Sequence, residues 1–109
     1  MNRIISQIFT GLIAIISLVS VALFWKYNLM LTIILIVLAM LMLLINKSKQ
    51  EIKTFIFCAF FGTIAESFAI IFGAWNYGNP NLVNIPIWLI VLWGIASVFI
   101  IRVYLFFKN

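Results

Sequence analysis

Long apolar stretches alternate with short polar ones along the whole chain. Four runs are almost free of charged residues, and they cover Ile4–Trp25, Leu29–Ile45, Phe55–Trp75 and Pro86–Phe107. A membrane-spanning helix needs about 20 mostly apolar residues, and each run is close to that length. Because lipid offers no partners to the open edges of a β-sheet, the runs favour helices. The pattern predicts an all-α, four-helix transmembrane bundle that forms one domain over residues 1–109.

The connections between the runs predict two antiparallel helical hairpins. Lys26–Asn28 is so short that the first two helices should fold back on each other. Asn46–Thr54 is expected to be a polar loop. Asn76–Ile85 is rich in asparagine, glycine and proline, which form turns and helix caps. Within it, Asn84 is predicted to cap the fourth helix, with Pro86 in the first turn.

Composition strengthens the membrane interpretation. Of the 109 residues, 67% are hydrophobic and only 8% are charged. A soluble domain of this size needs a more polar exterior, since its surface must meet water. The first run resembles a signal peptide in part, but it is longer than the usual apolar region of one, so an uncleaved span is expected.

The basic residues predict how the bundle is oriented. They are Arg3, Lys26, Lys47, Lys49, Lys53, Arg102 and Lys108. With both termini cytoplasmic, six of the seven lie on the inner side, as the positive-inside rule prefers. We therefore expect a multi-pass protein of a prokaryotic cell membrane, with Arg102 snorkelling to the inner headgroups. No basic stripe marks one face, so no nucleic-acid partner is expected.

The sequence lacks the residue types that several common kinds of functional site require. The chain has no histidine, its acidic residues are Glu51 and Glu66, and Cys58 is its single cysteine. We therefore expect no transition-metal site, no nucleophile–His–Asp arrangement and no cofactor. No glycine-rich phosphate loop of recognised pattern is present.

Glu66 is the one acidic side chain inside the apolar runs. A carboxylate at membrane depth costs roughly 2.5–3.5 kcal/mol, so such residues usually face a bundle interior and mark functional sites. Helical spacing places Glu66 on one face with Gly62 and Gly73, whose small size lets another helix approach. Thr63 and Ser67 lie within one turn and could donate hydrogen bonds to it. A protonated, purely structural acid is the open alternative.

Depth along the helices brings Trp93 to the level of Glu66. At 1.5 Å per residue, Glu66 lies about 13 Å below Trp75, and Trp93 lies about 10 Å below Pro86. A buried indole usually finds a partner for its N–H group, so Trp93 either packs in the core or lines a site. The other residues expected near this level are Gly94 and Ser97.

The second hairpin carries a spaced pattern, Glu66-x6-Gly73-x-Trp75-x-Tyr77-x2-Pro80-x5-Pro86-x-Trp88-x4-Trp93-Gly94. Over residues 62–104 it resembles small prokaryotic membrane proteins of uncharacterised function. It is also similar to the Glu…Gly-x-Trp-x-Tyr…Pro-x-Trp segment of carotenoid-biosynthesis membrane proteins of the lycopene-cyclase and hydratase-like kind. The resemblance implies that Glu66 is an intramembrane acid beneath an aromatic mouth formed by Trp75, Tyr77 and Trp88. The Pro-x-Glu motif of lycopene-cyclase subunits is absent, since Glu66 follows Ile64-Ala65.

The first functional hypothesis is a pocket around Glu66 that binds, and could protonate, an isoprenoid or other lipid-like substrate. In it Glu66 is the candidate catalytic acid, since burial can keep a carboxylic acid neutral. The candidate ligand-binding residues are Thr63, Ser67, Trp75, Tyr77, Trp88, Trp93 and Ser97. The candidate structural residues are Gly62, Gly73, Pro86 and Gly94. The expected partners are membrane lipids and a hydrophobic small molecule.

Two other hypotheses stay open. One is a proton-coupled exporter of lipophilic cations of the small multidrug resistance type, which the size, the four spans and one membrane glutamate fit. That family carries its glutamate in the first helix, whereas Glu66 lies in the third. The other is a non-catalytic subunit that docks a larger membrane partner or a second copy of itself.

Overall fold

The computed structural model describes residues 3–108, which form four helices. They are α1 (Arg3–Phe24), α2 (Asn28–Asn46), α3 (Lys49–Ile71) and α4 (Trp88–Lys108). All four are long and apolar enough to span a membrane. No strand forms within this described stretch, so the predicted all-α bundle of membrane helices is confirmed.

Contacts between the helix ends show that the helices run alternately in opposite directions. Arg102, near the end of α4, is bonded to the side chains of Thr10 and Glu51, which lie near the starts of α1 and α3. At the opposite end, Asn28 at the start of α2 donates to the carbonyl of Asn79 in the α3–α4 connection. We call these two ends the Arg102 end and the loop end.

The central element is α4, which packs against each of the other three helices and most extensively against α3. By contrast, α1 and α3 both pack against α4 but scarcely against each other. The outer face of α3 is therefore open, and it exposes four phenylalanines, Phe57, Phe60, Phe61 and Phe68. An aqueous exterior would penalise such a face, whereas acyl chains would not.

The first helix turns its hydroxyl side chains inward. Thr10 and Ser17 are each 1% exposed, and their hydroxyls donate to the carbonyls of Ser6 and Ile13 at 2.8 Å. Bonding to the carbonyl four residues earlier satisfies a hydroxyl without a partner from another helix. These small side chains therefore let α1 pack closely inside the bundle at little polar cost.

The ends of α3 differ from the prediction. The helix begins inside the predicted Asn46–Thr54 loop, because Ser48 caps it by accepting from the Glu51 N–H at 3.3 Å. It ends before Trp75, since Gly73 adopts a φ of 87°, which breaks the helical path. The polar connection before α3 is thus shorter than expected, and the loop after it is longer.

The predicted cap of α4 is also wrong. The backbone N–H of Ile87 is bonded to the side-chain oxygen of Asn81 at 2.7 Å. Asn84 turns back to α3 instead, where it accepts from the Ser67 hydroxyl at 2.7 Å and donates to the Ser67 carbonyl at 3.1 Å. A tight turn at Val83, with a φ of 58°, directs Asn84 that way. The loop is therefore tied down on α3.

Candidate functional site

Two neutral hydrogen-bond donors hold the carboxylate of Glu66, which is half-buried on α3. Trp93 on α4 donates its indole N–H to Oε2 at 2.7 Å. The Tyr77 hydroxyl, from the loop, lies 3.0 Å from both carboxylate oxygens. Glu66 and Trp93 thus lie at one level, as the depth along the helices predicted. The three side chains come from three elements, so the position of the carboxylate depends on the packing of α3, α4 and the loop.

Close packing of α3 on α4 brings Trp93 within reach of Glu66. A methyl group at Gly62 would overlap the indole ring of Trp93. In the same seam, a methyl group at Gly94 would overlap the ring of Phe55. Both glycines therefore provide room for a large aromatic ring from the facing helix, and Gly62 sets the position of the Trp93 ring.

Tyr77 also packs against an aromatic ring, that of Trp88. Its ring meets that of Trp88 edge-on, with ring centroids 6.0 Å apart and an angle of 86° between the planes. Burial raises the pKa of the Tyr77 hydroxyl well above its usual value near 10, and the hydrogen bond and charge of Glu66 raise it further. Tyr77 therefore stays protonated and donates to the carboxylate.

An open cavity of about 220 Å³ lies beside the carboxylate. Its walls are formed by Glu66, Tyr77, Leu89, Leu92, Trp93 and Ala96. Most of this surface is aliphatic or aromatic, with one charged group and one hydroxyl. A mainly apolar cavity with a few converging polar groups is typical of sites for small hydrophobic molecules.

The hydroxyls expected to donate to Glu66 do not do so. Thr63 is bonded to the carbonyl of Ala59 at 2.6 Å, and Ser67 is bonded to Asn84. Both hydroxyls are used within α3 or by the loop, so the prediction that they serve the carboxylate was wrong. The Ser97 hydroxyl is likewise bonded to a backbone carbonyl, that of Gly94, at 2.7 Å.

Of the predicted ligand-binding residues, Tyr77 and Trp93 line the cavity. Trp75 lies outside its walls and is 44% exposed. Trp88 is 4% exposed and packs edge-on against the Tyr77 ring. Its indole N–H has no hydrogen-bond partner within residues 3–108. Pro86 is fully buried beside the start of α4. The three residues of the predicted aromatic mouth therefore have different surroundings. Tyr77 lines the cavity, Trp88 packs against Tyr77, and Trp75 is exposed.

A second polar centre, which the sequence did not lead us to expect, lies at the Arg102 end. Arg102 is 2% exposed and makes a two-pronged pair with Glu51 at 2.8 and 2.9 Å. It also donates to the Thr10 hydroxyl at 2.9 Å and the Met42 carbonyl at 2.6 Å. The prediction that Arg102 snorkels to headgroups was wrong, because acceptors from α1, α2 and α3 satisfy its guanidinium inside the bundle.

Further polar contacts extend this Arg102–Glu51 pair. Asn46 on α2 donates to Glu51 at 3.4 Å, and Gln7 on α1 donates to the backbone carbonyl of Arg102 at 3.2 Å. All four helices thus contribute to one network, which suits a structural role. The sequence held a signal for it, since one arginine in an apolar run requires an acid and Glu51 is the only acid apart from Glu66.

Neither polar centre has the ligands of a metal site. Within residues 3–108, no group of three histidine, cysteine, aspartate or glutamate side chains is placed to hold a metal ion. Cys58 is a free, half-buried thiol on α3.

Comparison with known proteins places the chain in a family. The sequence model of a family described as "Protein of unknown function (DUF2878)" matches residues 12–105. This match spans parts of both hairpins and includes Glu66, Tyr77 and Trp93. No curated protein and no solved structure matches the chain. Nothing in the family match links it to carotenoid biosynthesis, so that likeness stays an expectation.

Proposed function

We propose that this chain, which belongs to the DUF2878 family of proteins of unknown function, binds a lipid-like molecule beside Glu66 within the membrane. The observation that carries the proposal is a carboxylate at the wall of an open, mostly apolar cavity. Tyr77 and Trp93, both neutral donors, hold that carboxylate in place. An isoprenoid or other lipid with a polar head matches a cavity of this chemistry.

The two acids of the chain support a binding role for Glu66. Glu51 shows how this fold treats a structural acid, since it is 8% exposed and paired with Arg102. Glu66 is half-buried, is held by neutral donors and lines a cavity. A purely structural role would not require that open space.

The contacts of Glu66 leave it able to accept from a ligand. An indole N–H can only donate, so the Glu66 oxygen that it meets acts as an acceptor. Tyr77 approaches both oxygens and is itself kept protonated. A carboxylate with two oxygens can accept further hydrogen bonds, so it has capacity left for the head of a ligand.

Native mass spectrometry of the protein purified from its membrane tests the proposal. We expect wild-type protein to retain a lipid, and Glu66→Gln and Tyr77→Phe to lose most of it. Tyr27→Phe is the matched control, because Tyr27 is 61% exposed and does not line the cavity, so this substitution should leave retention unchanged. Equal retention by Glu66→Gln and wild-type protein, both folded, would contradict the proposal.

A further inference from the structure

A second cavity adjoins the Glu66 cavity across α4. It has a volume of about 330 Å³ and lies between α1 and α4, with Gly11 and Ala14 on the α1 side. Leu92 and Ala96 of α4 line both cavities. The two cavities therefore share part of their lining, and we call them together the α4 cleft.

The packing of the helices explains why this cleft exists. Because α1 and α3 both contact α4 but scarcely contact each other, a strip of α4 between them remains uncovered. Small residues deepen the strip, with Gly11 on one side and Ala96 at its base. A methyl group added at Gly11 would meet no atom within 4 Å, so this wall is open. The Glu66 carboxylate lies on the opposite side of the cleft, on α3.

The Glu66 carboxylate has no basic partner within residues 3–108. No lysine or arginine of this described stretch forms an ion pair with it, and Arg102 is occupied by Glu51 at the opposite end. Its contacts are the neutral donors Tyr77 and Trp93. A carboxylate at membrane depth is stabilised most by a cation, because the low dielectric strengthens the attraction.

We propose that the α4 cleft binds an amphiphile with an ammonium head, which pairs with Glu66, and an apolar tail, which crosses Leu92 and Ala96 into the groove beside Gly11. This inference rests on the proposed function and names the class of its ligand. Lipid is as apolar as the groove, so burying the tail gives little preference over the bilayer. The head therefore decides which of two molecules with the same tail is bound.

A pair of probes with one tail tests the choice of head. Wild-type protein in dodecyl maltoside micelles, whose sugar heads carry no ammonium group, is titrated at neutral pH with hexadecylamine and, separately, with hexadecanol. Bound probe is counted by native mass spectrometry. We expect hexadecylamine to bind at least tenfold more tightly than hexadecanol. The comparison uses unmodified protein, so it does not depend on any variant folding.

A pair of variants tests the path of the tail. Gly11→Leu places a side chain in open space within the groove, so we expect a folded protein with at least a fivefold loss of hexadecylamine binding. Ala22→Leu adds a leucine to an exposed position on the same helix outside the groove, and it should bind like wild-type protein. Glu66→Gln should lose the preference for the amine.

The outcomes separate the inference from the proposed function. If both probes bind equally and Glu66→Gln weakens both, a lipid site at Glu66 stands and the ammonium head is rejected. If Gly11→Leu binds the amine like wild-type protein, the tail does not lie in the groove. If Glu66→Gln changes the binding of neither probe, the inference fails. The proposed function is then decided by whether the purified wild-type protein retains a native lipid.

Discussion

At the scale of single residues, the chain holds two carboxylates in opposite surroundings. Glu51 is buried and paired with Arg102, whereas Glu66 is half-buried beside a cavity and held by Tyr77 and Trp93. Both sit in the same helix and both belong to a membrane protein. Their difference comes from their neighbours, because only one of them has a guanidinium within reach.

Arg102→Met should destabilise the protein by about 3–5 kcal/mol, because it leaves Glu51 buried without a counter-charge. The free energy of unfolding, measured by titration with a denaturing detergent, checks this value. Arg3→Met is the control, since Arg3 is exposed, donates to the carbonyl of Phe106 and lies over the Phe106 ring, so its loss should cost under about 1 kcal/mol.

The double variant Arg102→Met, Glu51→Leu should recover most of that loss. Replacing both members of a buried pair by apolar residues is often nearly neutral, since no uncompensated charge remains. A double variant as unstable as Arg102→Met alone would mean that the pair is not the reason for the loss.

Tyr77 should ionise only after the protein unfolds. Its pKa is raised in the folded state and returns to about 10 in the unfolded state, so the folded protein binds more protons above pH 10. Its contribution to stability is therefore complete below pH 10 and is lost as the pH rises further. Phenolate absorbance at pH 10.5 should be equal for folded wild-type protein and Tyr77→Phe. An additional phenolate in the folded wild-type protein would contradict this.

At the scale of helices, apolar run length is enough to predict that each helix exists, but not where it ends. The ends of α3 depend on the cap at Ser48 and the positive φ of Gly73. Both are local backbone features that the length of an apolar run does not reveal. The shared level of Glu66 and Trp93 could be predicted from depth, because rise per residue fixes depth within a hairpin. The roles of Thr63 and Ser67 could not, since their hydroxyls had nearer backbone and loop acceptors.

Gly62→Ala should destabilise the contact between α3 and α4 by about 1–3 kcal/mol, because the added methyl overlaps the Trp93 ring. Gly11→Ala is the matched control. Its methyl meets open space, so the better helix propensity of alanine should leave stability unchanged or raise it by up to about 1 kcal/mol. Equal effects of the two substitutions on the free energy of unfolding would show that Gly62 is not a packing constraint.

At the scale of the whole molecule, the sequence predicted four helices but not their arrangement around α4. Hydropathy marks which residues avoid water, yet it does not distinguish a face that meets lipid from one that meets another helix. This is why Arg102 was expected at the headgroups instead of inside the bundle. The open strip of α4 between α1 and α3 was hidden from the sequence for the same reason.

The positive-inside rule still favours a cytoplasmic Arg102 end after Arg102 is removed from the count. The Arg102 end carries five exposed basic residues, whereas the loop end carries Lys26 alone among the residues that the structure describes. The five are Arg3, Lys47, Lys49, Lys53 and Lys108. In intact cells of a Cys58→Ser background, a membrane-impermeant maleimide should label Pro80→Cys and not Lys49→Cys. Labelling of Lys49→Cys alone would reverse the proposed orientation.

The central claim is a specific lipid-like ligand over α4 beside Glu66, and photocrosslinking in the native membrane tests it most directly. A photoreactive amino acid replaces Leu92, which lines the cavity, or Leu44, which is 58% exposed on α2. The adduct masses are then compared. We expect one dominant adduct at Leu92 that disappears with Glu66→Gln, and a mixture of bulk lipids at Leu44. The same bulk mixture at both positions, unchanged by Glu66→Gln, would contradict the claim.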